Sequence, residues 1–422
     1  MNIIRRTWKS FKSQGKNLSL YFLAALIPML LSLIINPFLA KNLSPDDYAI
    51  IGYYGAFNTL FSPLVNFYLI HYYTKRYFEL DEQGRLELKA TLFKALILFS
   101  FILTIVAIAL IFFYTISFNS KSSLPLWPYA ILSTISLPLC GIYTLTLADY
   151  RMQRESRRFF RLSIINGVLG ACLALLLVVI LKFGAIGRMT ATLVCAFLIF
   201  AYLLRQNRTL LKVAFSWDIF RKAIIFCYPL VIASMLTFFS SGYDKILLEH
   251  KGDIYALGIY SVGVTIAGYL SLFSTTVNDT FQPDIFESIV HRNYKRCMKF
   301  VIMKLGIMSV CVIAFCVLAP FIIDVLTFGR YTSSAPYARI VAVSSITSMM
   351  YYSMSQVTVA LGMTKITLLN KIIGSVISIV SFDLLIKNFG AVGAAWGIVL
   401  SYLYFFIGNF ILVVFNYKKS LK

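Results

Sequence analysis

Leu92–Thr115 reads LFKALILFSFILTIVAIALIFFYT, an apolar run with one charge, Lys94, near its start. A helix of about 20 mostly apolar residues crosses the hydrocarbon core of a bilayer, and this run is long enough to do so. The same pattern recurs along the chain. Apolar stretches at 18–40, 48–70, 92–115, 125–147, 162–182, 185–204, 223–243, 254–277, 300–322, 337–361, 367–386 and 391–415 predict about a dozen spanning helices. The sixth and twelfth follow their predecessors after very short turns. Of the 422 residues, 59% are hydrophobic and 13% charged, against roughly 25% charged in a soluble domain. Too little polar surface remains to cover a water-soluble globule. The fold class is therefore all-α, a polytopic transmembrane bundle.

The formal charge of +22 would suggest nucleic acid in a soluble protein. Here the basic residues sit in the connections between apolar runs, so they describe topology. The N-terminus, the connections from even to odd helices and the C-terminus together carry 30 of the 39 lysines and arginines. The opposite side holds only Lys41, Lys121, Lys182, Arg188, Lys245, Lys251, Arg330, Arg339 and Lys387. Basic residues stay on the cytoplasmic side, so both termini are expected there. The apolar run beginning at Leu18 continues to Ala40 and is read as an uncleaved first helix rather than a signal peptide. The longest non-membrane stretches, around 71–91, 205–222 and 278–299, fall on the cytoplasmic side. No connection leaves room for a soluble catalytic domain, and no enzyme activity is expected. The cysteines form no C-x-x-C pair, and His71, His250 and His291 are scattered, so no metal centre or redox cofactor is expected.

The chain repeats itself once. Phe183-Gly184-Ala185-Ile186-Gly187 matches Phe389-Gly390-Ala391-Val392-Gly393 at an offset of 206 residues, and Asp47, Gly52 and Tyr54 match Asp253, Gly258 and Tyr260 at the same offset. Each FGA(I/V)G falls in the tight turn before the last helix of its half. Even numbers of helices per half make the copies parallel, as in transporters whose substrate binds between halves that rock for alternating access. Residues 1–212 are read as an N-terminal six-helix lobe and 213–422 as a C-terminal six-helix lobe.

Asp244–Ile289, with Asp244-Lys245, Gly258-Ile259-Tyr260 and Pro283, resembles the seventh and eighth helices of Wzx-type polysaccharide flippases of the multidrug/oligosaccharidyl-lipid/polysaccharide (MOP) exporter superfamily. Leu39–Tyr54 and the two FGA(I/V)G turns fit the same pattern. The resemblance implies a MOP/MATE-like architecture in the bacterial inner membrane. It implies a substrate as well: an oligosaccharide on undecaprenyl diphosphate, an O-antigen or related surface-polysaccharide repeat unit, moved from the cytoplasmic to the periplasmic leaflet. Membrane lipids are its surroundings. A polysaccharide polymerase and chain-length machinery are the partners implied downstream.

Such a task needs cations for the diphosphate in a polar cavity, where low dielectric strengthens them and burial makes them costly. Lys41 and Lys245 end the first helix of each half and are read as a pseudo-symmetric pair; snorkelling to headgroups is the competing reading. Arg188 opens helix 6, and its repeat partner is Ala394, so the fold does not demand its charge. Lys371 lies about a turn inside helix 11, as a diphosphate contact or a snorkelling cation. Asp244 and Asp383 are candidates for ion coupling by H+ or Na+, since burial favours the neutral form of a carboxylate; a local Asp244–Lys245 ion pair is the alternative. Pro28 in helix 1 and Pro229 in helix 7 occupy similar places in the two halves and, lacking an N–H, are expected to bend during the access switch. Asn36, Asn66, Ser240, Ser241, Tyr243, Thr275 and Asn278 are polar groups for sugar contact or for helix linking. A multidrug exporter of the same superfamily and, further off, an O-antigen polymerase remain open as functions.

Overall fold

The computed structural model describes residues 27–118, 122–361 and 364–420. Among them the backbone is helical nearly throughout. In chain order the elements are α1 (Ile27–Asn42), α2 (Pro45–Asn66), α3 (Leu69–Arg76), α4 (Glu82–Phe118), α5 (Tyr129–Thr134), α6 (Ser136–Met152), α7 (Ser156–Ala174), α8 (Gly184–Gln206), α9 (Trp217–Met235), α10 (Phe238–Ser241), α11 (Tyr243–His250), α12 (Ile254–Val290), α13 (Tyr294–Thr327), α14 (Ala335–Ala360) and α15 (Thr364–Ser420). A π-helical turn, Leu175–Ile180, extends α7. Among the described residues eight helical stretches are long and apolar enough to cross a membrane. One of them, Thr367–Val413, takes in two of the expected spans, because α15 folds back into two segments at Gly390. Among the described residues each of the twelve apolar stretches coincides with helical backbone; residues 18–26 of the first lie outside them.

The polarity of these helices is inverted relative to a soluble bundle. On α4, Leu98, Ile102, Ile105, Phe113 and Ile116 are exposed, Ile105 by 68%, while Ala95, Ser100, Thr104, Ala107 and Ile111 are buried. Small and hydroxylated side chains face the neighbouring helices and large aliphatics face outward, which is how helices pack in lipid. On α13 the same holds, with Val310, Val317 and Phe321 exposed and Met308, Val312 and Ala319 buried.

The expected cytoplasmic stretches differ from loops in one respect. α4 begins ten residues before the apolar run, at Glu82, and α12 continues to Val290. Each has 37 residues, about 55 Å at 1.5 Å per residue, well beyond a hydrocarbon core of about 30 Å. Hydropathy marks where lipid ends, whereas helical hydrogen bonding continues into water until a cap stops it. The caps are visible: Asn293 Oδ1 accepts the Arg296 N–H at 3.0 Å to start α13, and Asp253 Oδ1 accepts the Ala256 N–H at 2.9 Å to start α12.

The chain divides into two compact units. One comprises residues 1–43, 61–118 and 125–232; the other comprises 44–60, 119–124 and 233–422. The first is built around α4, α6 and α8, with Leu88, Leu92, Phe93, Leu96, Ile142, Leu145, Ile199 and Leu203 in its core. The second is organised by α12, α13, α14 and α15, with residues 45–60 of α2 belonging to it.

The repeated motifs are close-contact points. A Cβ at Gly258 would lie 2.1 Å from the Pro45 carbonyl oxygen, and one at Gly52 2.3 Å from Ser261 Oγ, so the motif glycines let α2 and α12 cross within the second unit. Their tyrosines, Tyr54 and Tyr260, are both buried. In the turn motifs Gly184 and Gly390 take φ of +56° and +57°, a left-handed conformation open to glycine. A Cβ at Gly393 would lie 2.0 Å from the Leu385 carbonyl oxygen. The repeated aspartates differ in detail. Asp253 caps α12 directly, whereas Asp47 sits in the first turn of α2, where its Oδ2 accepts from the Ser44 N–H and hydroxyl at 2.8 and 2.9 Å.

Candidate functional site

In the first unit, α1, α6, α7 and α8 enclose a cavity of about 290 Å³. Pro28, Leu31, Ser32 and Ile35 line it from one face of α1, at the i, i+3, i+4, i+7 spacing of a single helical stripe. Gly167 on α7 makes room for that helix, since a Cβ there would sit 3.4 Å from Pro28 Cα. The polar lining is Tyr143, Asn166, Arg188 and Thr192. Arg188 is the charged residue in this wall, and no carboxylate among the described residues lines it. A half-buried guanidinium among hydroxyls and an amide is suited to phosphate or sugar oxygens. The cavity thus brings together two of the residues singled out from the sequence, Arg188 and Pro28.

The second unit holds a buried carboxylate. Asp244, on α11, is fully buried; the Tyr260 hydroxyl donates to its Oδ2 at 2.5 Å. Its Oδ1 has no hydrogen-bond donor among the described residues. Among the described residues no ion pair joins Lys245 to it; the Lys245 stem runs past Gly52 instead. Alternation along the helix explains this, because consecutive residues point about 100° apart. Asp383 lies on an exposed face of α15, and among the described residues no hydrogen bond or ion pair joins it to Asp244. Lys41, in the last turn of α1, is exposed.

Lys371 is tied to a break in a neighbouring helix. Its Nζ is drawn into the second unit and donates to the Ala233 carbonyl at 2.9 Å and to Thr237 Oγ1 at 3.0 Å. The reason lies in α9. Between Met235 and Phe238 the helix tightens: the Thr237 N–H bonds to the Ser234 carbonyl, and the Ser240 N–H to that of Thr237. This frees the Ala233 carbonyl from its i+4 donor, and the lysine takes that place. Ser375, one turn further along α15, donates to the Leu236 carbonyl at 3.3 Å. Pro229 lies inside α9, before the interruption.

Of two further polar clusters, only Asn278 is singled out from the sequence. Lys304 on α13 is fully buried and donates to Asn278 Oδ1 at 2.9 Å and Gln356 Oε1 at 3.1 Å, tying α13 to α12 and α14. In the first unit, Asp149 at the end of α6 accepts from Lys89 Nζ at 2.6 Å, from the Tyr73 hydroxyl at 2.6 Å and from Gln153 Nε2 at 2.7 Å. Burial, and after it the Asp149 charge, hold the Tyr73 phenol far above its ordinary pKa, so it remains a donor. Of the other polar candidates, Ser240 Oγ donates to the Thr237 carbonyl at 2.7 Å and Thr275 Oγ1 to that of Leu272 at 2.8 Å.

Solved structures that share this fold include a transporter of the MOP superfamily. An inward-facing multidrug resistance MATE transporter of that superfamily aligns with a TM-score of 0.68 at 14% identity, over 92% of this chain and 96% of its own. The lipid II flippase MurJ, in an inward closed conformation, aligns with 0.67 at 14% identity, over 93% and 87%. The Vibrio cholerae MATE transporter VcmN, as a point mutant, gives 0.57 at 14% identity, over 97% and 98%. At these identities the likeness is one of fold; together with the eight long apolar helices among the described residues it fits a multi-pass membrane protein. No curated protein matches the sequence. The family model described as "Polysaccharide biosynthesis protein" matches residues 38–336, more than half of the chain, and the chain belongs to that family.

Proposed function

We propose that this protein is a non-enzymatic flippase of the bacterial inner membrane. It carries an undecaprenyl-diphosphate-linked oligosaccharide, an O-antigen or related repeat unit, from the cytoplasmic to the periplasmic leaflet by alternating access. The observation that carries the reading is the first-unit cavity, where Arg188 stands among Tyr143, Asn166 and Thr192 without a carboxylate among the described residues. A cation with hydroxyl and amide partners suits the phosphates and hydroxyls of a glycolipid, whereas a cavity for cationic drugs would need acids. Family membership supports the polysaccharide side of the reading. The fold shared with a lipid II flippase supports a lipid-linked substrate. Lys41 and Lys245 are proposed as further cations on the route. Asp244, and after it Asp383, are the proposed sites of H+ or Na+ coupling; the unfilled Asp244 Oδ1 is where an ion would be received.

The test is to delete the gene in its host and follow labelled lipid-linked oligosaccharide. Complete repeat units are expected to accumulate on the cytoplasmic leaflet, with loss of surface polysaccharide, restored by the wild type and not by Arg188→Gln. Normal arrival at the outer leaflet, with drug sensitivity or altered polymer length instead, would overturn the reading in favour of an exporter or a polymerase.

A further inference from the structure

Where α6 ends, α7 begins and α8 ends, the first unit has a second, smaller pocket of about 220 Å³. Its polar wall is formed by Tyr150, Arg158, Arg161, Tyr202 and Gln206, and Ile165 closes the apolar side. Two guanidiniums, and no carboxylate among the described residues, line it. Gln206 Nε2 donates to the Tyr150 hydroxyl at 2.8 Å, which fixes one wall. Arg158 also reaches Glu155 outside the pocket at 2.9 Å, with its side chain 63% exposed. Arg161 has no ion-pair partner among the described residues.

The placement is as informative as the charge. Arg158, Arg161 and Ile165 lie on one face of α7, three and four residues apart. Beyond Ile165 the same surface continues as exposed Val168 on α7 and exposed Leu198 and Phe197 on α8. A cationic pocket therefore opens onto a lipid-facing apolar strip. At about 220 Å³ the pocket has room for a phosphate headgroup. Arg151, Arg154, Arg157, Arg205 and Arg208 stand nearby in sequence, with Glu155 the single acid between 150 and 217, so the local field favours an anion. Basic pockets between helices at a membrane interface capture anionic headgroups, and a guanidinium grips phosphate oxygens in a fork.

We propose that this pocket binds the phosphate of an anionic phospholipid, with Arg158 and Arg161 on the phosphate, Tyr202 on the glycerol side and an acyl chain along Ile165, Val168 and Leu198. The site is separate from the Arg188 cavity and does not depend on the transported substrate.

The full-length protein would be placed in nanodiscs of phosphatidylcholine with or without phosphatidylglycerol. Retained lipid would be read by native mass spectrometry and stability by thermal unfolding. Phosphatidylglycerol is expected to be retained selectively and to raise the melting temperature, with Arg158→Gln/Arg161→Gln binding it about tenfold more weakly. Arg157→Gln is expected to bind it as the wild type does. A photoactivatable phosphatidylglycerol on the wild type is expected to label peptides within 158–168 or 198–206, which tests the site should the double variant fail to fold. Labelling elsewhere, or equal retention by the double variant, overturns the proposal. So does inorganic phosphate, or a diphosphate, giving the same stabilisation without phosphatidylglycerol, which would make the source a free anion or the substrate's own headgroup.

Discussion

Among single side chains, the two buried or half-buried cations that matter most were unequally legible. Arg188 stood out because its repeat partner is Ala394, so the fold alone gives no reason for the charge. Arg188→Gln is expected to lower flipping at least tenfold while leaving expression and melting temperature unchanged, because the side chain meets a cavity rather than a core. Arg188→Lys keeps the charge without the fork and should retain part of the activity. Equal loss in both, with a falling melting temperature, would make it a structural cation. Lys304 was hidden. Four residues into an apolar run, it reads as a snorkelling lysine, and only the position of Asn278 and Gln356 on neighbouring helices turns it inward. Lys304→Ala strands both amide oxygens in a dry interior and is expected to cost about 3 kcal/mol, read as a drop in thermal stability of detergent-solubilised protein. Lys304→Met should cost less if packing rather than the charge dominates.

Helices and turns were predicted well where the signal is local and poorly where it is made by a neighbour. Twelve helical segments follow from the apolar runs, and the two glycine motifs follow from the repeat, but the reason for Gly258 is the Pro45 carbonyl some two hundred residues away. Gly258→Val must push backbone against backbone, at a cost of about 3 kcal/mol or more; loss of folded protein in a thermal assay checks it, and wild-type stability would deny the crossing. The interruption after Met235 is a further case. Proline in the sequence drew attention to Pro229, yet hydrogen bonding breaks six to eight residues later, where no proline stands. Lys371 fills the gap. Lys371→Met is expected to leave the Ala233 carbonyl without a donor and to cost about 1–3 kcal/mol, whereas Lys371→Gln, which can still donate, should cost less. If Pro229 is nevertheless the bending point, Pro229→Ala slows transport; unchanged transport would assign the bend to residues 235–238.

Across the full chain, direction of transport is a statement about which end faces the cytoplasm, and that rests on charge. The thirty basic residues on one side are not thirty equivalent votes. Lys304 and Lys371 are held inside the second unit by hydrogen bonds, and Lys89 is paired with Asp149, so these three serve packing first. The remaining 27 are still three times the nine on the other side, because the arginine-rich turns at 151–161 and 205–208 and the turn at 291–296 are untouched by this correction. Retention acts on connections close to the helix ends, which is where those residues lie. The turn between α12 and α13 and the turn between α13 and α14 are separated by a single long helix, so they must face opposite sides. His291→Cys and Ser333→Cys, both at exposed positions, report on them in a variant cleared of its native cysteines. An impermeant maleimide added to intact cells, with the outer membrane opened, is expected to label the thiol introduced at position 333 and to reach the one at 291 only after the inner membrane is broken. The reverse pattern would invert the orientation. It would also move the Arg158–Arg161 pocket to the outer leaflet and overturn the proposed direction of flipping, while leaving the fold and its family intact.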